Sequence, residues 1–154
     1  MRELTVVSDR GRADQERVLG FERSVDIKLP PLYRSFIANH NAAVVRECYF
    51  AVCIDGLKQT ADVTFLGFGD VSDDESILYF QQEEYGHKGV VVFGITARGD
   101  YVCFDYRNSD IEPAVVLMMH DDYSDDGRMK VCPIADDFLT FWGGLFERQA
   151  RVIG

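Results

Sequence analysis

The sequence predicts a single α+β domain over residues 1–154, in which helices flank a central, mostly antiparallel β-sheet. Strand-like apolar runs dominate the middle of the chain, while the strongest helical periodicity lies near its two ends. These strands follow one another without regular alternation with helices, which argues against a parallel α/β fold. At 154 residues, 47% of them hydrophobic, the chain can form one core, and no linker divides it.

Two helices are expected in the first 41 residues. The first covers residues 14–24, with apolar side chains at 18, 19 and 21. Pro30 and Pro31 interrupt helical structure, because proline lacks an amide hydrogen and disfavours helix at the residue before it. Proline is nevertheless well tolerated in a first turn, so a second helix begins there and ends near residues 39–41. Its apolar face comprises Leu32, Tyr33, Phe36 and Ile37.

Strands are expected next in the chain. Residues 48–54 form an apolar and aromatic run closed by Asp55-Gly56, and residues 63–68 form another. We expect these two strands to be neighbours in an antiparallel sheet. An acidic turn at residues 72–75 offers capping side chains, so a helix is predicted over residues 74–85.

The second half of the sheet contains the clearest hairpin. Residues 90–96 and 101–106 are strand-like and are joined by a turn that contains Gly99. A further strand is expected over residues 114–119.

A closing helix follows Asp136 and Asp137, either of which can cap it. Its apolar stripe recurs at helical spacing and is expected to cover one face of the sheet. The stripe consists of Phe138, Phe141, Trp142 and Leu145.

Charge excludes several classes of partner. The net charge is −10, which repels nucleic-acid phosphates and anionic membrane surfaces, so we predict neither as a direct partner. Residues 55–137 alone carry 18 acidic and 6 basic side chains. The sequence has no apolar run of membrane-spanning length and no signal-peptide pattern at its start, so a cytoplasmic location is expected.

The potential metal ligands do not form a recognisable site. Cys48, Cys53, Cys103 and Cys132 include no Cys-x-x-Cys pair, and the three histidines have no ligand spacing, so buried, reduced thiols are expected. Residues 122–127, Asp-x-Ser-x-Asp-Gly, match the first half of a calcium loop. Pro133 occupies the twelfth position, where calcium requires a bidentate glutamate, so a solvated acidic loop is favoured. No cofactor is predicted.

The sequence also lacks the usual catalytic motifs: a nucleophile elbow, a phosphate-binding loop, a zinc-protease signature and a dinucleotide fingerprint. Asp100, Asp105 and His120 are the residues to consider for acid/base chemistry. An aspartate that bonds the backbone of a neighbouring loop, and a histidine at a strand end, are the favoured interpretations. We therefore predict no enzymatic activity and no catalytic residues.

Four segments follow one another in a characteristic order. They are Leu-Pro-x-x-Tyr-x-x-Phe at residues 29–36, Gly-Asp-x-x-x-x-Asp at 99–105, an apolar strand at 114–119 followed by His120-Asp121, and Ile-Ala-x-x-Phe-x-x-Phe at 134–141. Together these segments resemble the SUKH superfamily of Smi/Knr-type proteins over roughly residues 14–146. Two departures are Ala42, where many members have glycine after asparagine, and Asp121, where the family has glutamate.

The resemblance implies an α+β fold without catalytic residues and a role in protein binding. Bacterial members of the superfamily are similar to immunity proteins that neutralise contact-delivered toxins, often nucleases, whereas fungal members regulate cell-wall synthesis. An acidic surface complements the basic, phosphate-binding cleft of a nuclease toxin, so we expect a basic toxin domain as the protein partner. The candidate contacts are Asp73, Asp74, Glu75, Asp121, Asp122, Tyr123, Asp125 and Asp126.

Two alternatives to the immunity hypothesis remain open at the level of sequence: an intracellular interaction or regulatory scaffold of the same fold, and a small acid/base enzyme. For each acidic residue taken alone, ordinary solubility is the favoured interpretation. The identity of the toxin and the oligomeric state are open as well.

Overall fold

The computed structural model describes residues 2–148 and confirms the α+β fold. The three helices in this range are α1 (Gln15–Val25), α2 (Pro31–Asn39) and α3 (Phe138–Gly144). The strands are β1 (Val6–Ser8), β2 (Val44–Val45), β3 (Tyr49–Ile54), β4 (Leu57–Asp62), β5 (Thr64–Phe65), β6 (Val90–Ile95), β7 (Tyr101–Asp105), β8 (Ala114–Tyr123) and β9 (Met129–Ala135).

Antiparallel pairing builds the central sheet. Its five strands lie in the order β5-β6-β7-β8-β9, so β5 and β9 are its two edges. Strands β3 and β4 form a separate hairpin, and β1 pairs with β2. The hairpin predicted over residues 90–106 is confirmed as β6 and β7.

The helices at the start of the chain are confirmed, and their ends follow local chemistry. The Asp14 carboxylate caps α1 by accepting a hydrogen bond from the Glu16 amide, at 3.0 Å. Asp26, with φ of 55°, ends α1 in the left-handed conformation. Pro31 opens α2, where its missing amide hydrogen costs no helical hydrogen bond.

An aromatic cluster joins the helices to one face of the sheet. Phe93 of β6 and Phe104 of β7 stack with ring centroids 4.1 Å apart, and Tyr33 of α2 meets Phe104 edge-on at 5.1 Å. Phe138 of α3 contacts all three of these rings. The predicted stripe on α3 is therefore buried against the sheet, and Asp137 caps that helix through the Thr140 amide.

The partner expected for β3 is wrong. Residues 63–68 contribute only β5, which pairs with β6, while β3 pairs with the unpredicted strand β4. Asp55 and Gly56 have φ of 52° and 80°, and such positive values at both positions make a tight hairpin turn. Cys53 is exposed because it lies on the outward face of β3, so the prediction of four buried thiols is also wrong, although Cys103 and Cys132 are buried.

The helix predicted over residues 74–85 is wrong. Only a 3₁₀ turn, Asp73–Glu75, forms there. The Gln81 side chain instead bonds both the amide and the carbonyl of Val92, and the Tyr85 carbonyl accepts from the Met129 amide at 2.8 Å. These bonds hold the segment from Ile77 to Tyr85 against the sheet, and we call it the crossing segment. Within it, the ring of Phe80 contacts that of Tyr101 in β7.

The strand expected over residues 114–119 is longer, and β9 follows it. The calcium-like residues 122–127 lie at the end of this β8–β9 hairpin, closed by hydrogen bonds from the Ser124 amide to Arg128 and from the Gly127 amide to Ser124. Pro133 lies on an edge strand, where the missing amide hydrogen is tolerated. None of the helices within residues 2–148 is long and apolar enough to cross a membrane.

Candidate protein-binding site

Five of the candidate residues lie together at the end of the β8–β9 hairpin. We call this group the acidic hairpin tip, and it consists of Asp121, Asp122, Tyr123, Asp125 and Asp126. The side chain of Asp121 is 85% exposed, and Asp125 and Asp126 are exposed as well. In the described part of the chain, neither Asp125 nor Asp126 forms an ion pair, so their charges are available to a partner.

A pair of tyrosines lies beside these carboxylates. The rings of Tyr123 and Tyr85 meet edge-on with centroids 6.0 Å apart, and the two residues remain 49% and 48% exposed. The Arg128 guanidinium donates to the carbonyl of Gly86, which fixes the crossing segment to the tip. Because each ring is held by the other, the pair offers a preorganised aromatic surface within an acidic rim.

A lysine anchors the other side of the tip. Lys130 on β9 forms a close ion pair with Asp55 in the β3–β4 turn and lies 3.8 Å from Asp122. The hydrogen bond to Asp55 raises the pKa of Lys130 above its ordinary value. This contact ties the tip to the neighbouring hairpin and adds the Asp55 carboxylate to the same region.

His120 is held between two carboxylates. Its Nδ1 lies 2.8 Å from Asp100 and its Nε2 lies 3.0 Å from Asp121. The hydrogen bond with Asp100 raises the pKa of His120, and the charges of Asp121 and Asp100 add to this effect. Both ring nitrogens can donate a hydrogen bond only in the protonated imidazolium. The two carboxylates therefore favour a charged His120 that links Asp100 to Asp121, which we call the His120 clasp, over a neutral histidine that acts as a general base.

The other two residues considered for chemistry have structural partners. Asp100 accepts the His120 amide, and Asp105 accepts the backbone and the guanidinium of Arg107 at 2.8–3.0 Å. Burial raises the pKa of Asp105, but the hydrogen bonds from Arg107 outweigh it and lower the pKa overall. Both aspartates accept backbone amides, as expected, but the expectation that His120 lies at a strand end is wrong, because β8 continues to Tyr123.

Most of the chain matches the model of one protein family. The model of the SMI1 / KNR4 family (SUKH-1) matches residues 12–142, from before α1 into α3. The chain belongs to the SUKH-1 family. No curated protein and no solved structure matches it.

In this SUKH-1 protein the motif residues lie mostly inside the fold. Tyr33 of the first motif is in the aromatic cluster, Asp100 and Asp105 of the second are bonded within the chain, and Phe138 of the last is buried. The family pattern therefore specifies the scaffold, while the carboxylates of the acidic hairpin tip lie on its surface.

The remaining candidates lie elsewhere on the SUKH-1 scaffold. Asp73, Asp74 and Glu75 form the 3₁₀ turn. The next residue, Ser76, forms an isolated β-bridge with Gly67, just after β5. This is the opposite edge of the sheet from β9. Glu75 is bound by Arg10 at 2.7 and 2.9 Å, which lowers its pKa and offsets its charge.

Sequence reasoning missed two contributors to the tip, Tyr85 and Asp55. The Asp55-Gly56 dipeptide is a strong hairpin signal that could have placed Asp55 at the end of a two-stranded ribbon. Tyr85 had no such signal, because its position depends on tertiary contacts of the crossing segment. Among residues 2–148, no cluster of His, Cys, Asp and Glu is arranged to hold a metal ion.

Proposed function

We propose that this SUKH-1 protein is a cytoplasmic immunity protein, which binds and neutralises a cognate bacterial toxin through the acidic hairpin tip. The toxin domain is basic and of the nuclease type. In this proposal residues 1–154 act as one domain, and the protein inhibits by occupying the toxin and not by any catalysis of its own.

One observation supports this proposal most directly: the exposed tyrosine pair lies at the same hairpin end as the carboxylates of Asp125 and Asp126, which form no ion pair among the described residues. Tyrosines are enriched among residues that dominate binding energy, and carboxylates around them would pair with lysines and arginines of a phosphate-binding cleft. Complementary charge also accelerates encounter, which suits an inhibitor that must act before its toxin does damage. The Glu83 and Glu84 side chains, exposed next to Tyr85, extend the same acidic region.

The test first looks for a toxin domain encoded beside this gene, whose absence would favour the scaffold alternative, and then expresses that domain in a sensitive host with or without the protein. We expect the wild type to protect the host and to bind the purified toxin domain. The double variant Asp125→Lys/Asp126→Lys should weaken binding about tenfold or more, mainly through slower association, and added salt should reduce the difference.

A matched control reverses two exposed charges at the other end of the sheet, Asp110→Lys/Glu112→Lys. This variant should protect and bind like the wild type. A third variant, Asp73→Lys/Asp74→Lys, tests the second group of candidate acids on the 3₁₀ turn. If the tip variant protects fully, or if the control is equally impaired, the acidic hairpin tip is not the toxin-binding surface.

A further inference from the structure

A cleft separates β4 from the turn that joins β6 to β7. Its volume is about 410 Å³, within the range of sites that hold small ligands or peptide side chains. The floor is apolar and is formed by Val52, Ile54, Leu117 and Met119. Residues 96–98 and Asp100 form the wall opposite β4.

The β4 wall is an open strand edge. The tight turn at Asp55-Gly56 makes Ile54 and Leu57 a hydrogen-bonded pair, and such pairs alternate along an antiparallel ladder. The backbone groups of Lys58, Thr60 and Asp62 therefore point away from β3. No other strand pairs with β4 within residues 2–148, so these groups have no ladder partner there.

The free charges around the cleft are positive, in contrast to the net charge of −10 for the whole chain. Arg98 makes only a long contact to Gln59, at 3.5 Å, and the Arg148 guanidinium lies 5.5 Å from the centre of the Tyr49 ring. Of the two carboxylates that line the cleft, Asp100 is paired with His120, while Asp62 keeps its charge and accepts the Ala97 amide, so Arg98 and Arg148 outnumber the one unpaired carboxylate. Lys58 adds a further exposed cation along the same edge.

We propose that this cleft binds an extended, acidic peptide segment of a partner protein, which adds to the open edge of β4 as a third strand. The backbone groups of Lys58 and Thr60 supply main-chain hydrogen bonds, whereas Asp62 lies against the β6–β7 turn through its bond to Ala97. Alternate side chains of the peptide enter the apolar floor, and its carboxylates pair with Arg98 and Arg148. This site is separate from the acidic hairpin tip, so it does not depend on the proposed immunity function.

Charge complementarity decides between peptides of opposite sign. A basic segment would meet Lys58, Arg98 and Arg148 with like charge, whereas an acidic one gains a partner at each position. The open edge of β4 favours an extended peptide, because its unpaired backbone N–H and C=O groups can pair with an added strand.

The first test selects a library of random heptapeptides displayed on phage against the purified full chain. We expect enriched sequences with Asp or Glu flanking alternate apolar residues, and an enriched peptide should bind in solution. The variant Arg98→Glu/Arg148→Glu should weaken that peptide at least tenfold. Arg23→Glu, an exposed charge on α1, is the matched control and should leave its affinity unchanged.

A second pair of variants tests strand addition itself. Thr60→Pro removes an outward amide hydrogen, and proline is tolerated on an edge strand when its nitrogen faces solvent. This variant should bind the peptide at least tenfold more weakly, whereas Thr60→Val keeps the amide and should bind like the wild type.

Amide hydrogen exchange in the wild type gives a readout that needs no variant. Bound peptide should slow exchange at Lys58 and Thr60, whose amides face outward from the open part of the edge. The proposal is overturned if no acidic sequence is enriched, if basic peptides bind equally well, or if bound peptide leaves the amides of Lys58 and Thr60 unprotected.

Discussion

The hydroxyl of Tyr33 is an unusual feature of the aromatic cluster. The residue is completely buried, and its hydroxyl has no hydrogen-bonding partner among the described residues. Burial raises the pKa of Tyr33 far above its ordinary value, so the group stays neutral. An unpaired buried hydroxyl costs free energy, while the ring itself contributes contacts to Phe93, Phe104 and Phe138.

Replacing this tyrosine should therefore stabilise the protein. We expect Tyr33→Phe to raise the free energy of unfolding by roughly 1 kcal/mol, because it removes the unpaired hydroxyl and keeps the ring. Urea denaturation of the two proteins measures the difference. A clear loss of stability would mean that the hydroxyl has a bonding partner in solution.

His120 should make stability depend on pH. Its pKa is raised in the folded protein by Asp100 and Asp121, so its contribution is fully present below the unfolded pKa and is lost as pH rises through the folded value. Melting temperatures of wild type and His120→Gln at about pH 5.5 and about pH 8.5 test this. The wild type should exceed His120→Gln in melting temperature by more at the lower pH. An equal difference at both pH values would contradict the His120 clasp.

At the scale of elements, the close approach of β5 to β6 depends on one glycine. A Cβ added to Gly94 would lie 2.6 Å from Cγ2 of Val63 and 3.1 Å from the Thr64 carbonyl oxygen. A Cβ at this position would displace the Val63 side chain and crowd the Thr64 carbonyl, so the neighbouring segment dictates the residue type.

Gly94→Ala should therefore destabilise the protein by about 1–3 kcal/mol, as overpacking does in other cores. The matched substitution is Gly143→Ala in α3, where an added Cβ meets nothing within 4 Å. That variant should be neutral or more stable by up to about 1 kcal/mol, because alanine favours helix. Chemical denaturation of both variants distinguishes a steric clash at Gly94 from a general sensitivity to alanine.

The elements predicted correctly share a strong local signal. Residues 31–39 combine proline at the start with an apolar face, and the 90–106 hairpin combines apolar strands with a glycine turn. Local pattern fails for residues 74–85, where helical spacing of apolar residues is outweighed by the pairing of Gln81 with Val92. Strand β4 is polar, so its pattern gives little sign of the strand that the Asp55-Gly56 turn creates.

For the whole molecule, the arrangement of charge matters more than its total. The acidic hairpin tip concentrates four carboxylates at one end of the sheet, two of them paired with His120 and Lys130, while the cleft beside β4 carries Arg98 and Arg148. Like charges at the tip repel one another in the folded state, and most exposed ion pairs contribute little to offset this.

Neutralising the tip should consequently stabilise the fold. We expect Asp125→Asn/Asp126→Asn to raise the melting temperature at about 0.02 M salt and to lose most of that advantage at about 0.5 M, where charges are screened. Calorimetry at the two salt concentrations measures both effects. A salt-independent gain would indicate that the two aspartates act through turn geometry instead of charge.

Local periodicity and ordered motifs were enough to predict the α+β class, both helices at the start, the 90–106 hairpin, the closing helix and the family. The sequence also located the acidic residues in the chain. Only the tertiary structure decided which of them lie together: strand order places Asp121–Asp126 and Asp73–Glu75 at opposite edges of the sheet. The Tyr85–Tyr123 pair and the open edge of β4 likewise arise from contacts between distant segments, which local sequence preferences do not specify.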